Sequence, residues 1–241
     1  MEKLVYLIWA ASQDARGDVT GAILSECAPR LLELGPRGLV ANLADTDVPA
    51  PVPWPATEPP LAAELGLWLD CYDRRGPFEE ILADFGDRYA GYLVTESLYS
   101  DYGTNAHAPP RDWPDGKRSP GLLTVTLMER PRRLEPADWL AHWHGVQSPV
   151  SEAMQPRCRY VRNAVVRALT PEAPPYEGIV DEAWPSAEHL TDPMLFYGAG
   201  GDEETLRGNQ RRMFESVKAF LDFDRIRTVT MSEYPLKTEH R

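Results

Sequence analysis

Leu134-Glu135-Pro136-Ala137-Asp138-Trp139-Leu140-Ala141-His142-Trp143-His144-Gly145-Val146-Gln147-Ser148-Pro149-Val150 is the stretch on which the reading of this chain turns. Trp139, Trp143, Val146 and Val150 recur at helical spacing and share one face. That stripe predicts a helix over 135–154 packed on a sheet. Gln147 falls near one edge of the stripe, His142 near the other, and His144 further toward solvent. Upstream, Leu122–Leu127 is an apolar run with threonine and valine and reads as a strand. Downstream, 160–166 and 176–184 read as strands. Residues 202–220 read as a helix with Leu206, Gln210, Met213, Val217 and Phe220 on one face, and 226–234 as a closing strand. The order is β-α-β-β-α-β.

The same order precedes it. Leu4-Val5-Tyr6-Leu7-Ile8-Trp9 reads as a buried strand. Leu24, Cys27, Leu31 and Leu34 mark a helix that stops at Gly35-Pro36. Residues 38–43, 65–70 and 89–98 read as strands, and Pro77 opens a helix at the position where proline is favoured. Residues 49–60 form a proline-rich loop. Val94-Thr95-Glu96-Ser97 and Thr230-Met231-Ser232-Glu233 end the two closing strands in a similar pattern. The predicted fold class is α+β: tandem ferredoxin-like βαββαβ units, 1–98 and 121–241, joined by a linker at 99–120 and forming an intramolecular dimeric α/β barrel. One such unit leaves a sheet face bare. Two sheets packed face to face would cover both and enclose a central space.

The bulk numbers suit this reading. The chain has 241 residues, 43% of them hydrophobic, a net charge of −12 and a pI near 4.9. An acidic surface argues against nucleic acid and anionic membranes as partners. The apolar run at 4–9 is shorter than a signal or membrane-spanning segment needs, so a cytoplasmic protein is expected. Cys27, Cys71 and Cys158 form no CxxC pair, which fits free thiols and no metal site. Gly198-Ala-Gly200-Gly201-Asp202-Glu203-Glu204 lacks the phosphate-loop lysine, and its carboxylates would repel phosphate, so it reads as a helix start.

Candidate chemistry is spread along the chain. His142 and His144 lie two apart on a helix and point in different directions, so they cannot chelate one metal. His142 is either a boundary histidine or an acid–base group. Glu96 and Glu233 end equivalent strands and are either paired surface charges or carboxyls suited to proton transfer. Trp54, Tyr99, Tyr102 and Trp113 fall in loops and either pack or line a pocket mouth. No nucleophile elbow, zinc signature or flavin fingerprint is present.

Trp139 to Pro149, Tyr176-Glu177-Gly178-Ile179-Val180 and Phe220-Leu221-Asp222 give residues 121–235 a resemblance to the EthD domain, of the dimeric α/β-barrel superfamily. Gln147 stands where that family usually has a histidine, and glutamine does not titrate. The resemblance implies cofactor-independent enzymes on aromatic or polyketide-like molecules, with haem enzymes in other branches. The expected function is therefore a cofactor-independent lyase acting on a hydrophobic or aromatic metabolite. His142 and Glu233 are its expected catalytic groups. Gln147, Trp143, Glu96, Tyr99 and Tyr102 are the expected substrate-binding residues. A cofactor-free or haem-dependent oxidoreductase and a non-catalytic binding protein are the alternatives. Pairing of two pseudo-dimers into a homodimer is open.

Overall fold

A computed structural model describes residues 1–45, 55 and 57–238. Trp54 and most of the proline-rich loop lie outside the described residues. Among the described residues eight strands are formed: β1 (Glu2–Trp9), β2 (Gly38–Leu43), β3 (Leu61–Leu69), β4 (Arg88–Ser100), β5 (Leu122–Met128), β6 (Arg159–Ala168), β7 (Gly178–Trp184) and β8 (Ile226–Lys237). They close into one barrel in the order β1-β3-β2-β8-β5-β7-β6-β4, and every neighbouring pair is antiparallel. The first half contributes β4-β1-β3-β2 and the second β8-β5-β7-β6, joined edge to edge by β2–β8 and β6–β4. The two sheets therefore do not stack face to face as expected. Closure removes every free strand edge and makes the enclosed space a barrel lumen.

Alternation along each strand separates two apolar layers. Val5, Leu7 and Trp9 point into the lumen with Tyr92, Val125, Leu127 and Met231. Leu4, Tyr6 and Ile8 point outward, under helices α1 (Gln13–Ala22), α2 (Ala28–Glu33) and α3 (Gly76–Leu82). In the second half α4 (Pro136–His142), α5 (Ser148–Glu152) and the longer α8 (Glu203–Phe220) cover the outer face through Trp139, Trp143, Met213, Val217 and Phe220. Two short helices, α6 (Glu188–Thr191) and α7 (Pro193–Phe196), lie in the stretch that precedes α8. Asp202 caps α8 by accepting from Thr205 N at 2.8 Å, so the glycine-rich stretch is a helix start as read.

The helix expected over 135–154 is interrupted. Trp143–Gln147 forms a π-turn, in which Ser148 N donates to Trp143 O, five residues back. Ile23–Cys27 does the same between α1 and α2, with Ala28 N donating to Ile23 O. A proline lies just beyond each turn, Pro149 and Pro29, and neither can donate the regular helical hydrogen bond. The added residue rotates the downstream helix by about 100°. Val146 leaves the predicted stripe and is 43% exposed, while Gln147 turns toward the sheet.

Several boundaries differ from the sequence reading. β3 starts at Leu61, which takes in Glu64. β4 runs to Ser100, and the linker after it packs across one barrel end. Gly116 N and Ser119 N donate to the β8 carbonyls of Pro235 and Glu233 at 2.7 and 2.8 Å.

Candidate functional site

The outer face of the second half holds a groove with about 120 Å³ of free space. Its floor is Thr124, Thr126, Val180 and Trp184 of β5 and β7. Trp143 and Gln147 form one wall, Met213, Val217 and Phe220 of α8 another. Phe196 and Tyr197, beside α7, close the end, with Phe196 stacked on Trp184 at 5.1 Å between centroids. The stretch between β7 and α8 thus supplies a wall that its counterpart in the first half lacks.

Polar groups are interspersed among the apolar ones: Thr124, Thr126, Thr228, Gln147, Gln155 and Glu182 also line the groove. Gln147 Nε2 donates to Met213 Sδ at 3.2 Å, while Oε1 is buried without a partner. Tyr160 Oη accepts from Trp143 Nε1 at 3.3 Å and lies 3.3 Å from Ser148 Oγ. Burial raises the Tyr160 pKa, so the phenol stays neutral. Glu182 is bound by Arg157 Nη1 at 2.5 Å. The groove thus offers aromatic walls, a neutral phenol and several hydroxyl and amide groups, with the partnerless Gln147 Oε1 buried beside it.

The other expected residues lie elsewhere. His142 Nε2 is 3.0 Å from Ser216 O, its ring is stacked on Phe220, and it lines neither this groove nor the larger cavity described below. His144 lies against Trp143, with its pKa lowered by burial and then by Arg162. Tyr99 sits behind Tyr160, with Arg162 over its ring. Glu96, Glu233 and Tyr102 line a separate cavity of about 340 Å³ at one mouth of the lumen. His142 and Glu233 therefore do not share a cleft. The groove unites Trp143 and Gln147 with Tyr160, Trp184, Phe196 and Tyr197, which the sequence reading did not single out.

The lumen carries a polar set that is repeated in the two halves. Asn42 Nδ2 donates to Glu64 in the first, and Asn163 Nδ2 to Asp181 at 3.0 Å in the second. Asn42 stands opposite Glu233 in the β2–β8 ladder, and Asn163 opposite Glu96 in the β4–β6 ladder. β3 and β7 are four strands apart in the ring, so Glu64 and Asp181 meet only across the lumen. Burial, then the charge of Asp181, pushes the Glu64 carboxyl up to about 8. Burial also raises Asp181. Lys3 binds Glu96 at 2.9 Å and lies 3.9 Å from Asp181. Burial alone would raise Glu96, but Lys3 outweighs it and holds the carboxyl below its ordinary range. Arg159 pairs with Glu233.

A haem needs an axial donor such as histidine, cysteine, methionine or tyrosine. Neither cavity is lined by histidine or cysteine. Met213 sulfur contacts Gln147, and Tyr160 contacts Trp143 and Ser148, which leaves Met128 and Tyr197 at the groove and Met1 and Tyr102 at the lumen mouth as the remaining residues of these donor types. Among the described residues no group of three or more His, Cys, Asp or Glu is placed to hold a metal ion, and no helix is long and apolar enough to cross a membrane.

No protein-family profile matches the chain, and no curated protein matches it in sequence. Solved structures do match its shape. A candidate monooxygenase from Lactobacillus acidophilus NCFM superposes with a TM-score of 0.51 at 9% identity, covering 99% of this chain and 96% of that one. An anthrone oxidase-like protein gives 0.51 at 8% identity, covering 99% and 94%. At this identity the likeness is one of fold: a mixed α+β chain closed into an eight-stranded antiparallel barrel.

Proposed function

We propose that this chain is an enzyme that holds a small, largely apolar molecule in the C-terminal groove and oxidises it with molecular oxygen, without an organic cofactor. The observation that carries the reading is the aromatic-walled groove itself, with the partnerless Oε1 of Gln147 buried at its edge, where a turn of the amide would bring it to a ligand. That oxygen suits a ligand hydroxyl as donor. The free space is close to the ~150 Å³ cavity known to take benzene, so the ligand part it holds is one ring across. A phenol-like ring fits. A ring C–H would become C=O: one atom of O₂ enters the ring, the second leaves as water with the two hydrogens lost from the ring carbon and the hydroxyl, and the phenol, oxidised to a quinone, supplies all four electrons. Trp143, Trp184 and Phe196 would exclude solvent while Gln147 and Tyr160 fix the ring's orientation.

The shared barrel with a candidate monooxygenase and an anthrone oxidase-like protein supports an oxidoreductase over the expected lyase. So does the chemistry of the groove, whose titratable groups are two neutral phenols, Tyr160 and Tyr197, and a carboxylate committed to Arg157. A lyase would need Glu182 released from that pair to move a proton. The finer structural reading belongs with this proposal: two ferredoxin-like units in tandem, the second of EthD type. The matching strand order, the paired π-turns and the repeated Asn–carboxyl pairs support it. A cytoplasmic setting fits the charge of −12 and three free cysteines.

Oxygen uptake with a panel of phenols and hydroquinones tests the function. Uptake that falls at least tenfold in Gln147→Leu supports it. Loss of water or carbon dioxide without uptake would establish the lyase instead, and saturable binding without turnover would establish a binding protein.

A further inference from the structure

The cavity at the lumen mouth, about 340 Å³, lies apart from the groove and falls within the usual size range of small-molecule sites. Strand alternation builds it in tiers. Glu96 on β4 and Glu233 on β8 face the lumen in the deeper tier. Two residues further out on the same strands come Leu98 and Pro235, and Val40 of β2 pairs with Pro235. These three form an apolar collar. Lys237 follows Pro235 on the inward side of β8, while Leu236 between them packs outward on the first-half core.

The deeper charges are matched. Lys3 binds Glu96 at 2.9 Å, and Arg159 pairs with Glu233 and lies 3.7 Å from Asp101. Arg111, at the rim, binds Asp115 at 2.7 Å. Lys237 differs from these cations. It is half-buried, and among the described residues its ammonium makes neither an ion pair nor a hydrogen bond.

An unpaired cation above an apolar collar selects its ligand. A cationic molecule would meet Lys237 with no spare carboxylate to offset it. A dianion would place one charge on Lys237 and turn the other toward Glu96, Asp101 and Glu233, which line the same cavity. A neutral apolar molecule would fill the collar but strip water from the ammonium without replacing it. A monoanion with an apolar body matches both parts. Its head stays at the rim, where water still reaches it, so the pair with Lys237 avoids the desolvation cost of a fully buried one. The free space is a little over twice the ~150 Å³ cavity known to take benzene, which gives a body of roughly eight to ten carbons.

The geometry points to a second binding site, at the lumen mouth, for a monocarboxylate with an apolar body of that size. Lys237 holds the carboxylate, and Val40, Leu98 and Pro235 hold the body. The site is independent of the groove and of the reaction proposed there.

Isothermal titration with octanoate, octanol, octylamine and octyl phosphate tests it, since the four share one chain and differ only in the head. Octanoate is expected to bind saturably, and each of the others at least fivefold more weakly. Lys237→Met keeps most of the stem and removes the charge. It should weaken octanoate about fivefold, the upper end for one partly exposed ion pair, and leave octanol unchanged. Lys237→Arg keeps the charge and should retain most of the octanoate affinity. Gln147→Leu in the groove should leave octanoate binding as it is. Lys237 has no side-chain partner to lose, so neither replacement should disturb the fold. Absence of saturable octanoate binding overturns the proposal. So does equal or tighter binding of any of the other three probes, octanoate binding that is indifferent to Lys237→Met, or octanoate binding that Gln147→Leu weakens.

Discussion

Replacing Gln147 by leucine separates stability from function in the groove. An unsatisfied buried acceptor costs roughly 1–3 kcal/mol, and a weak N–H···S contact returns roughly 0.5–1 kcal/mol. Oε1 of Gln147 is such an acceptor, and its Nε2 makes only the 3.2 Å contact with Met213 sulfur. Leucine occupies a similar volume on the same π-turn and adds apolar contact with Trp143 and Phe220. Gln147→Leu is therefore expected to stabilise the free protein by about 1 kcal/mol, raising Tm by about 2–4 °C for a chain of this length. The same change removes the group expected to accept a ring hydroxyl, so phenol binding falls about tenfold, or 1.4 kcal/mol. Urea unfolding followed by tryptophan fluorescence reads the first effect, and phenol titration reads the second. A variant less stable by 1 kcal/mol or more would show that the acceptor is already paired inside the fold. Undiminished phenol affinity would show that it is not aimed at the ligand.

Gly178→Ala places a methyl 2.7 Å from Met128 Cε and 3.0 Å from the rings of Trp139 and Trp143. It should cost about 1–3 kcal/mol by overpacking and displace the Trp143 wall, so urea midpoint and phenol affinity should fall together. Lys3→Met leaves Glu96 and Asp181 without their buried cation. A loss of about 3–5 kcal/mol is expected, and a loss under 1 kcal/mol would count against the pairing. Glu64 binds a proton in the folded state from its ordinary range up to about 8, whereas in the unfolded chain it has lost it. Stability should therefore decline as pH rises through that window. Glu64→Gln should flatten the decline in urea titrations between pH 5 and 8, and an unchanged slope would assign it to another group.

The element order was legible because strand and helix periods differ and each run is bounded by glycine or proline. The groove was legible in part. Trp143 and Gln147 announced themselves through the stripe, but the π-turn did not, because one extra residue is invisible to a 3.6-residue period. Pro149 was the available signal, and Pro29 its echo. His142 precedes the turn and stays stacked on Phe220, while after the turn the groove-facing position belongs to Gln147. Glu96 and Glu233 read as strand-end charges because alternation gives a face, not whether that face is water or lumen. Glu64 carried a usable signal as a lone acid within an apolar strand, whereas Asp181 was masked by Glu182 beside it. Phe196 and Tyr197 had none, since their role depends on where the segment after β7 folds back.

The two seams of the barrel, β2–β8 and β6–β4, both lie within one polypeptide. A ring assembled from two separate chains would dissociate on dilution, whereas here each half meets the other at a fixed effective concentration. In a symmetric homodimer every substitution appears twice about the axis, so a lysine placed in the lumen would face its own copy. In this chain Lys3 stands beside Val94 of β4, and its counterpart on β5, beside Met231 of β8, is Leu123. One cation sits where two would repel.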